Sequence, residues 1–288
     1  MTTLRKTKLK NIKTRVKDLF GLFFCIKREK IIEIVKIIIF LAILLLIWEF
    51  ITIKFNIPKR IIPRPTDLLD FIQKEFFIPK STAYKTVLIK SLYSFKDALI
   101  GFTLSLIIGS IIGILLSRSK ILDSILFPFL FLTQVVPVPA LAPIMAAILG
   151  YGQTTKIVLI VMFTIFPIAI IIKNSIINIP ENYILLLHTY TQKKLLLFRY
   201  LTLPSLIPPL LSVMKIVATS SIVATIITEL PLSVRNGIGK DIYNSFNNQL
   251  IPRVWVSVIL ISLISLLFFK LISYLEKYIS TKYKYGQY

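Results

Sequence analysis

An all-α, polytopic membrane fold with about six transmembrane helices is predicted for this sequence by three observations. Apolar residues fill 56% of the chain, above the ~45–50% typical of soluble domains. They arrive in long blocks almost free of charge, such as Ile38–Ile53 and Gly101–Leu116. The basic residues, 35 Lys+Arg against 13 Asp+Glu for a net charge of +22, fall mostly between those blocks. A helix needs about 20 mainly apolar residues to cross a ~30 Å hydrocarbon core. With no water in that core, each crossing segment has to satisfy its own backbone polar groups, which a helix does. The short alternating stretches of a membrane barrel are missing from the sequence.

The elements follow in chain order. Residues 1–30 are basic, with Leu9, Ile12, Val16, Leu19, Phe20 and Phe23 spaced to form one apolar stripe. That pattern predicts a helix lying on the membrane surface among anionic headgroups. The apolar run Leu19–Ile26 is short and Phe24 is bulky, so no cleaved signal is predicted. Spans are expected at about 33–53, 95–116, 123–149, 155–173, 206–228 and 254–275, inside one transmembrane domain of 31–276 with a basic tail at 277–288. Ten basic residues precede Lys36, so the N-terminus should stay in the cytoplasm. Six crossings then return the C-terminus to the same side and make 174–205 a cytoplasmic loop. Between the first two spans, Thr66–Phe77 reads as an outer amphipathic helix, capped by Thr66, with Leu68, Leu69, Ile72 and Phe76 on one side.

Several function classes are excluded by what the sequence lacks. No GxxxxGK[ST] occurs, so no nucleotide is expected to bind this chain through a P-loop. No H-E-x-x-H or G-x-S-x-G is present, and one cysteine (Cys25) and one histidine (His188) cannot build a metal centre. No catalytic residue, cofactor or metal is therefore predicted. The positive charge is explained by lipid rather than by nucleic acid. Glu49, Asp97, Asp123 and Glu229 fall near span ends, which argues against a proton-coupled carrier with carboxylates at membrane depth.

The stretch Pro180–Glu229 carries the most specific signal. It resembles the cytoplasmic loop of ABC importer permeases, whose pattern is E-A-A-x3-G-x9-I-x-L-P. Leu203-Pro204 fits the end, Leu201 stands for the isoleucine, and the spacing holds back to Thr191 and Leu185–Leu187. Leu185-Leu186-Leu187 replaces Glu-Ala-Ala, and Thr191 replaces the glycine. Val135–Gly152 is similar to the proline-rich third span of the nitrate/sulfonate/taurine-like permeases. Gly101, Gly109 and Gly113, the IIPRPTDL of Ile61–Leu68, and Thr228-Glu229 followed by Gly237-Ile238-Gly239 match further recurrent features of that subfamily.

This resemblance implies the permease fold of a type I ABC importer, working as a homodimer or heterodimer of permeases. It also implies a cytoplasmic ABC ATPase subunit that uses the ATP, an extracytoplasmic solute-binding protein or lipoprotein, and a multi-pass place in the cell membrane. The docking residues it points to are Glu181, Tyr183, Leu186, Leu187, Tyr190, Thr191, Leu203 and Pro204. Independently, Tyr183, Leu186, Leu187 and Tyr190 make an apolar helix face suited to a groove on a partner, or to the lipid interface. Along the translocation path it points to Pro137, Pro139, Pro143, Lys215 and Glu229. The prolines either free backbone carbonyls toward the path or kink the helix to fit its neighbours. Lys215 snorkels to the headgroups, makes a structural hydrogen bond, or faces the path. The rival readings are an ion- or proton-coupled secondary transporter and a membrane scaffold.

Overall fold

The computed structural model describes residues 32–33, 35–76, 83–230, 232 and 236–283. The surface helix expected at 1–30 and the end of the tail, 284–288, lie outside them. The described residues contain helices and no strand. Five helices are long and apolar enough to cross a membrane, and the count reaches six if a bent pair forms one span. The chain divides into two compact units at Leu69/Asp70.

The first unit holds α1 (Val35–Lys54), an apolar rod with almost every side chain exposed. Its end is tied locally: Thr52 is buried and its Oγ1 donates to the carbonyls of Trp48 and Glu49. The outer amphipathic helix, α2 (Pro65–Phe76), is present, but Thr66 does not cap it. Proline at the first helical position starts the helix, which places Thr66 inside it. Thr66 instead donates from its Oγ1 (2.9 Å) and its N–H (3.3 Å) to the Glu49 carboxylate. The capping carboxylate is Asp67, which accepts from the Arg64 N–H at 3.1 Å and pairs with Lys59. Leu69, expected beside Leu68 on the apolar side, is exposed.

The second unit is a helix bundle. Its long members are α3 (Ala83–Arg118), α6 (Gln153–Ile177), α9 (Leu203–Glu229) and α11 (Ile251–Tyr283). Gly101 on α3 meets Ile160 on α6, and Gly109 and Gly113 meet Ile168 and Ile172, so the two helices run parallel. Missing side chains let them approach: a Cβ at Gly113 would stand 2.6 Å from the Ala169 carbonyl oxygen. α9 runs the other way, its last residue reaching Ser94 of α3. α11 follows α3, with Phe268 edge-on to Phe95 and Phe102 at 5.3 and 5.1 Å. The central core includes Ala98, Ile168, Val213, Val217 and Ile222. Lipid tails are as apolar as these side chains, so close packing rather than removal from water holds the helices together, and the lipid-facing side chains stay apolar and exposed.

The third expected span, 123–149, is not one helix. α4 (Lys120–Val135) and α5 (Val138–Leu149) are bent by 111° at a short break. Val136 and Pro137 leave the helical conformation there, and a proline ring clashes with the preceding turn of a helix. α5 packs Val138, Ala142 and Ala146, one helical stripe, into a cluster with Leu159 and Leu232. The second span is longer than expected, because α3 starts at Ala83 rather than near 95.

Candidate functional site

At the end of the bundle where α6 stops and α9 begins, the chain leaves the packed helices. Pro180 precedes α7 (Glu181–Tyr190), and Glu181 occupies its first turn, where the unpaired N–H groups favour a carboxylate. None of the α7 residues is buried. Tyr183, Leu186 and Tyr190 are 55%, 57% and 81% exposed and share a face by their spacing. Ile184 and Leu187 are half-buried. Leu187 therefore belongs to the inward stripe, not to the exposed one where the sequence reading put it.

Thr191 ends α7 in an extended conformation, φ −159° and ψ 139°, with its N–H donating to the Leu187 carbonyl. An extended backbone suits any residue, so the chain stops its helix there without glycine's left-handed turn. The Thr191 Oγ1 then accepts from the Lys193 N–H at 3.2 Å, a side-chain turn that fixes the direction of exit. A short α8 (Lys194–Leu197) and a π-helical turn (Phe198–Thr202) lead without a break into α9. Leu203 and Pro204 are the first residues of α9, where proline is tolerated. Beside α7, a cavity of about 460 Å³ is lined by Asn174, Asn178, Pro180, Tyr183 and Pro209.

The residues proposed for a path are spread over the bundle. Pro139 and Pro143 are exposed on one side of α5, beside its packed stripe, and Pro137, also exposed, precedes the helix. Lys215 is partly exposed and pairs with Glu276 of α11 at 2.6 Å, and Ser212 donates to the same carboxylate at 3.1 Å. A partner close at hand thus replaces snorkelling as the account of that lysine.

Glu229 lies at the opposite end of the bundle from α7 and is fully buried. Its carboxylate accepts from Lys156 Nζ at 2.8 Å, from Ser94 Oγ at 2.6 Å and from the Gly239 N–H at 2.7 Å. Lys156 also pairs with Asp97, which accepts from Gln153 Nε2 at 2.7 Å. Ser94 Oγ takes the Ile238 N–H at 2.9 Å. The cluster therefore joins α3, α6 and α9 and pins the first turn of α10 (Ile238–Asn247) against them. Next to it, Asp241 of α10 accepts from Lys90 at 2.6 Å and from Arg253 in a two-pronged contact at 3.1 Å. Sequence reading missed Asp97 and Lys156 as partners. The available signal was a lysine just inside the apolar block that starts at 155, since a charge there requires a counter-ion.

The described residues contain no group of three or more His, Cys, Asp or Glu side chains able to hold a metal. The buried carboxylates Asp97, Glu229 and Asp241 are each paired with a cation from another helix or from the start of the next one.

Residues 105–284 match the family described as the binding-protein-dependent transport system inner membrane component. The chain belongs to this family. A probable ABC transporter permease of Haemophilus influenzae is 24% identical over 86% of this chain and 98% of its own length. A formylaminopyrimidine transport permease of Halalkalibacterium halodurans is 25% identical over 83% and 92%. A nitrate import permease of a Synechocystis species is 24% identical over 85% and 88%. Among solved structures, an inward-facing methionine ABC transporter chain superposes with a TM-score of 0.58, covering 68% of this chain and 97% of that one at 15% identity. The fold is that of an ABC importer permease, and the chain is the permease subunit of such an importer. As a member of this family it is a multi-pass membrane protein that operates with an ATPase and a binding protein. The family is one of transport permeases and not an enzyme class.

Proposed function

We propose that this permease pairs with a second permease copy to enclose the solute path, and that it couples to a separate cytoplasmic ATPase through residues 181–200. The exposed face of Tyr183, Leu186 and Tyr190 on a helix with no buried residue carries this reading. Three apolar anchors on a short helix, outside the bundle yet joined stiffly to α9 through α8 and the π turn, suit a groove on a soluble partner. Movement of that partner would pass directly into α9. On this reading Glu181 assists docking, Thr191 and Leu203-Pro204 set the angle of the segment, and ATP binds only to the partner. The exposed Pro137, Pro139 and Pro143 are assigned to the path between copies, and solute arrives from an extracytoplasmic binding protein or lipoprotein. The Glu229 cluster is assigned to holding the extracytoplasmic end together.

The basic residues ahead of α1 favour a cytoplasmic N-terminus, and six crossings bring the C-terminus to the same face. The domain limits 1–30, 31–276 and 277–288 belong to the same proposal. With Cys25 replaced, cysteines at Ser119 and Lys193 should resist an impermeant thiol reagent in intact cells, and one at Asn236 should react. Reversed labelling would overturn the orientation.

The functional test is reconstitution. Purification from membranes should retain an ATPase and a second permease copy, and solute uptake into proteoliposomes should require ATP hydrolysis and the binding protein. Uptake by the chain alone without ATP would instead assign it to the ion-coupled carriers.

A further inference from the structure

A second cavity, about 730 Å³, lies where α3 ends against the segment that joins α7 to α9. Ile114, Leu195, Leu197 and Phe198 form its apolar wall, and Arg118 and Lys194 are its cations. Among the described residues, no carboxylate pairs with either cation. Every other feature of the cavity follows from its depth. Arg118 is the last residue of the apolar α3 span, and Lys194 is the first residue of the span that continues into α9. The two charges therefore stand at the ends of apolar spans, where headgroups are expected, with the apolar wall beside them.

The Arg118 guanidinium is not loose. It lies 5.3 Å from the centre of the Phe198 ring, over its face, a contact that orients a planar donor fork. Phe198 opens the π-helical turn Phe198–Thr202. Such turns are rare and recur at functional sites, because the widened turn re-aims side chains. Leu195 is 76% exposed beside Lys194, an apolar side chain placed next to a charge with nothing from the chain covering it.

We propose that this cavity binds an anionic phospholipid, its phosphate held between Arg118 and Lys194 and its acyl chain laid along Ile114, Leu195 and Leu197. A guanidinium pairs with phosphate in a two-pronged, charge-assisted contact, and an ammonium adds a second point charge. The lipid then bridges the end of α3 to the α8–π segment. Headgroup charge thereby stiffens the connection between α7 and α9. This site rests on the chain's place in the membrane; it shares Lys194–Phe198 with the coupling segment 181–200, but the ATPase is proposed to grip α7, so lipid binding and docking are read by separate measurements.

The test uses the full chain in an uncharged detergent, titrated with short-chain phosphatidylglycerol while thermal unfolding is followed. The expected result is a saturable rise in the unfolding temperature that phosphatidylcholine of the same chain length does not give. Each cation removed should weaken binding about fivefold, so Arg118→Gln with Lys194→Gln should raise the half-saturating concentration roughly 25-fold. Arg118→Lys, which keeps the charge, should lose less. An equal rise with phosphatidylcholine or inorganic phosphate, or an unchanged midpoint in the double variant, would overturn the proposal. Should the double variant not insert, Leu195→p-benzoylphenylalanine leaves both cations in place. In phosphatidylglycerol-containing vesicles that residue should photo-crosslink to lipid. Crosslinking to a protein partner alone would overturn the proposal, assigning the face to that partner.

Discussion

Lys156 of α6 and Glu229 at the end of α9 stand 2.8 Å apart, with both side chains shut off from solvent. Asp97 of α3 shares the same ammonium, so one cation serves two carboxylates inside the bundle. Breaking a buried pair by removing one partner costs about 3–5 kcal/mol, because the other charge is left without compensation. Lys156→Met should therefore lower stability by about that amount, since it leaves two carboxylates facing each other. Glu229→Gln should cost clearly less. Its amide oxygen can still accept from Ser94, while Lys156 keeps Asp97, so the acceptor for the Gly239 N–H is what is lost. Unfolding of the detergent-solubilised chain compares them, and equal losses would mean that the charge on Lys156 is not what holds the cluster.

Two glycines set how closely neighbouring elements approach. A Cβ at Gly113 would meet the Ala169 carbonyl oxygen at 2.6 Å and the Ile172 side chain at 2.7 Å. At Gly239 it would meet the Ile226 carbonyl oxygen at 2.6 Å. Backbone cannot yield as a flexible side chain does, so each alanine replacement should destabilise by about 1–3 kcal/mol. Gly113→Ala should do so by separating α3 from α6, and Gly239→Ala by lifting the start of α10 off Glu229. Cysteine pairs across each contact would report which separation opened. Unchanged crosslinking in both variants would show that the approach is not limited by these glycines.

Hydropathy made most of the bundle legible, and its failures have physical causes. The fourth span, expected at 155–173, runs Gln153–Ile177, because a continuous apolar block admits one structure in lipid. The third block is just as apolar, yet it breaks at Val136–Pro137, and mean hydropathy carries no record of direction. The start of α3 was hidden by Lys85, Lys90, Lys96 and Asp97. Two of those charges are satisfied by Asp241 and Lys156, and Lys90 lies 151 residues from Asp241. No local window reveals such a partner. The start of α7 was readable from Glu181 and the apolar spacing that follows it. Which of two adjacent stripes turns inward was not, and Leu187 was misplaced for that reason.

Outside the spans, Asp67 gives a dependence on pH. Burial by itself raises its pKa, but the hydrogen bond from Lys59, the Arg64 N–H and the charges of both residues outweigh that and hold it below 3.8. A lowered folded pKa contributes stability that is fully present above the unfolded value and is lost as pH falls through the folded one. The excess stability of the wild type over Asp67→Asn should thus be constant down to about pH 5 and shrink below about pH 4. Unfolding midpoints across that range check the sign. A difference that grows on acidification would place the pKa on the wrong side of its ordinary value.

The docking helix gives the sharpest separation of roles. Tyr183, Leu186 and Tyr190 are exposed, whereas Leu187 is half-buried. Aromatic anchors at the centre of an interface commonly cost ~2 kcal/mol or more on truncation, which is about thirtyfold in affinity. Tyr183→Ala with Tyr190→Ala should therefore release the ATPase while the bundle keeps its unfolding temperature. Leu187→Ala should act in the opposite pattern, lowering local stability through a lost packing contact and weakening docking only as the helix loosens. Thr191→Gly adds backbone freedom where the extended cap and its hydroxyl bond to Lys193 fix the exit angle. It should weaken docking with no anchor removed. Pull-down of the ATPase, beside thermal unfolding of each variant, distinguishes the three. Full retention of the ATPase by the double tyrosine variant would mean that the exposed face of α7 is not what the partner grips.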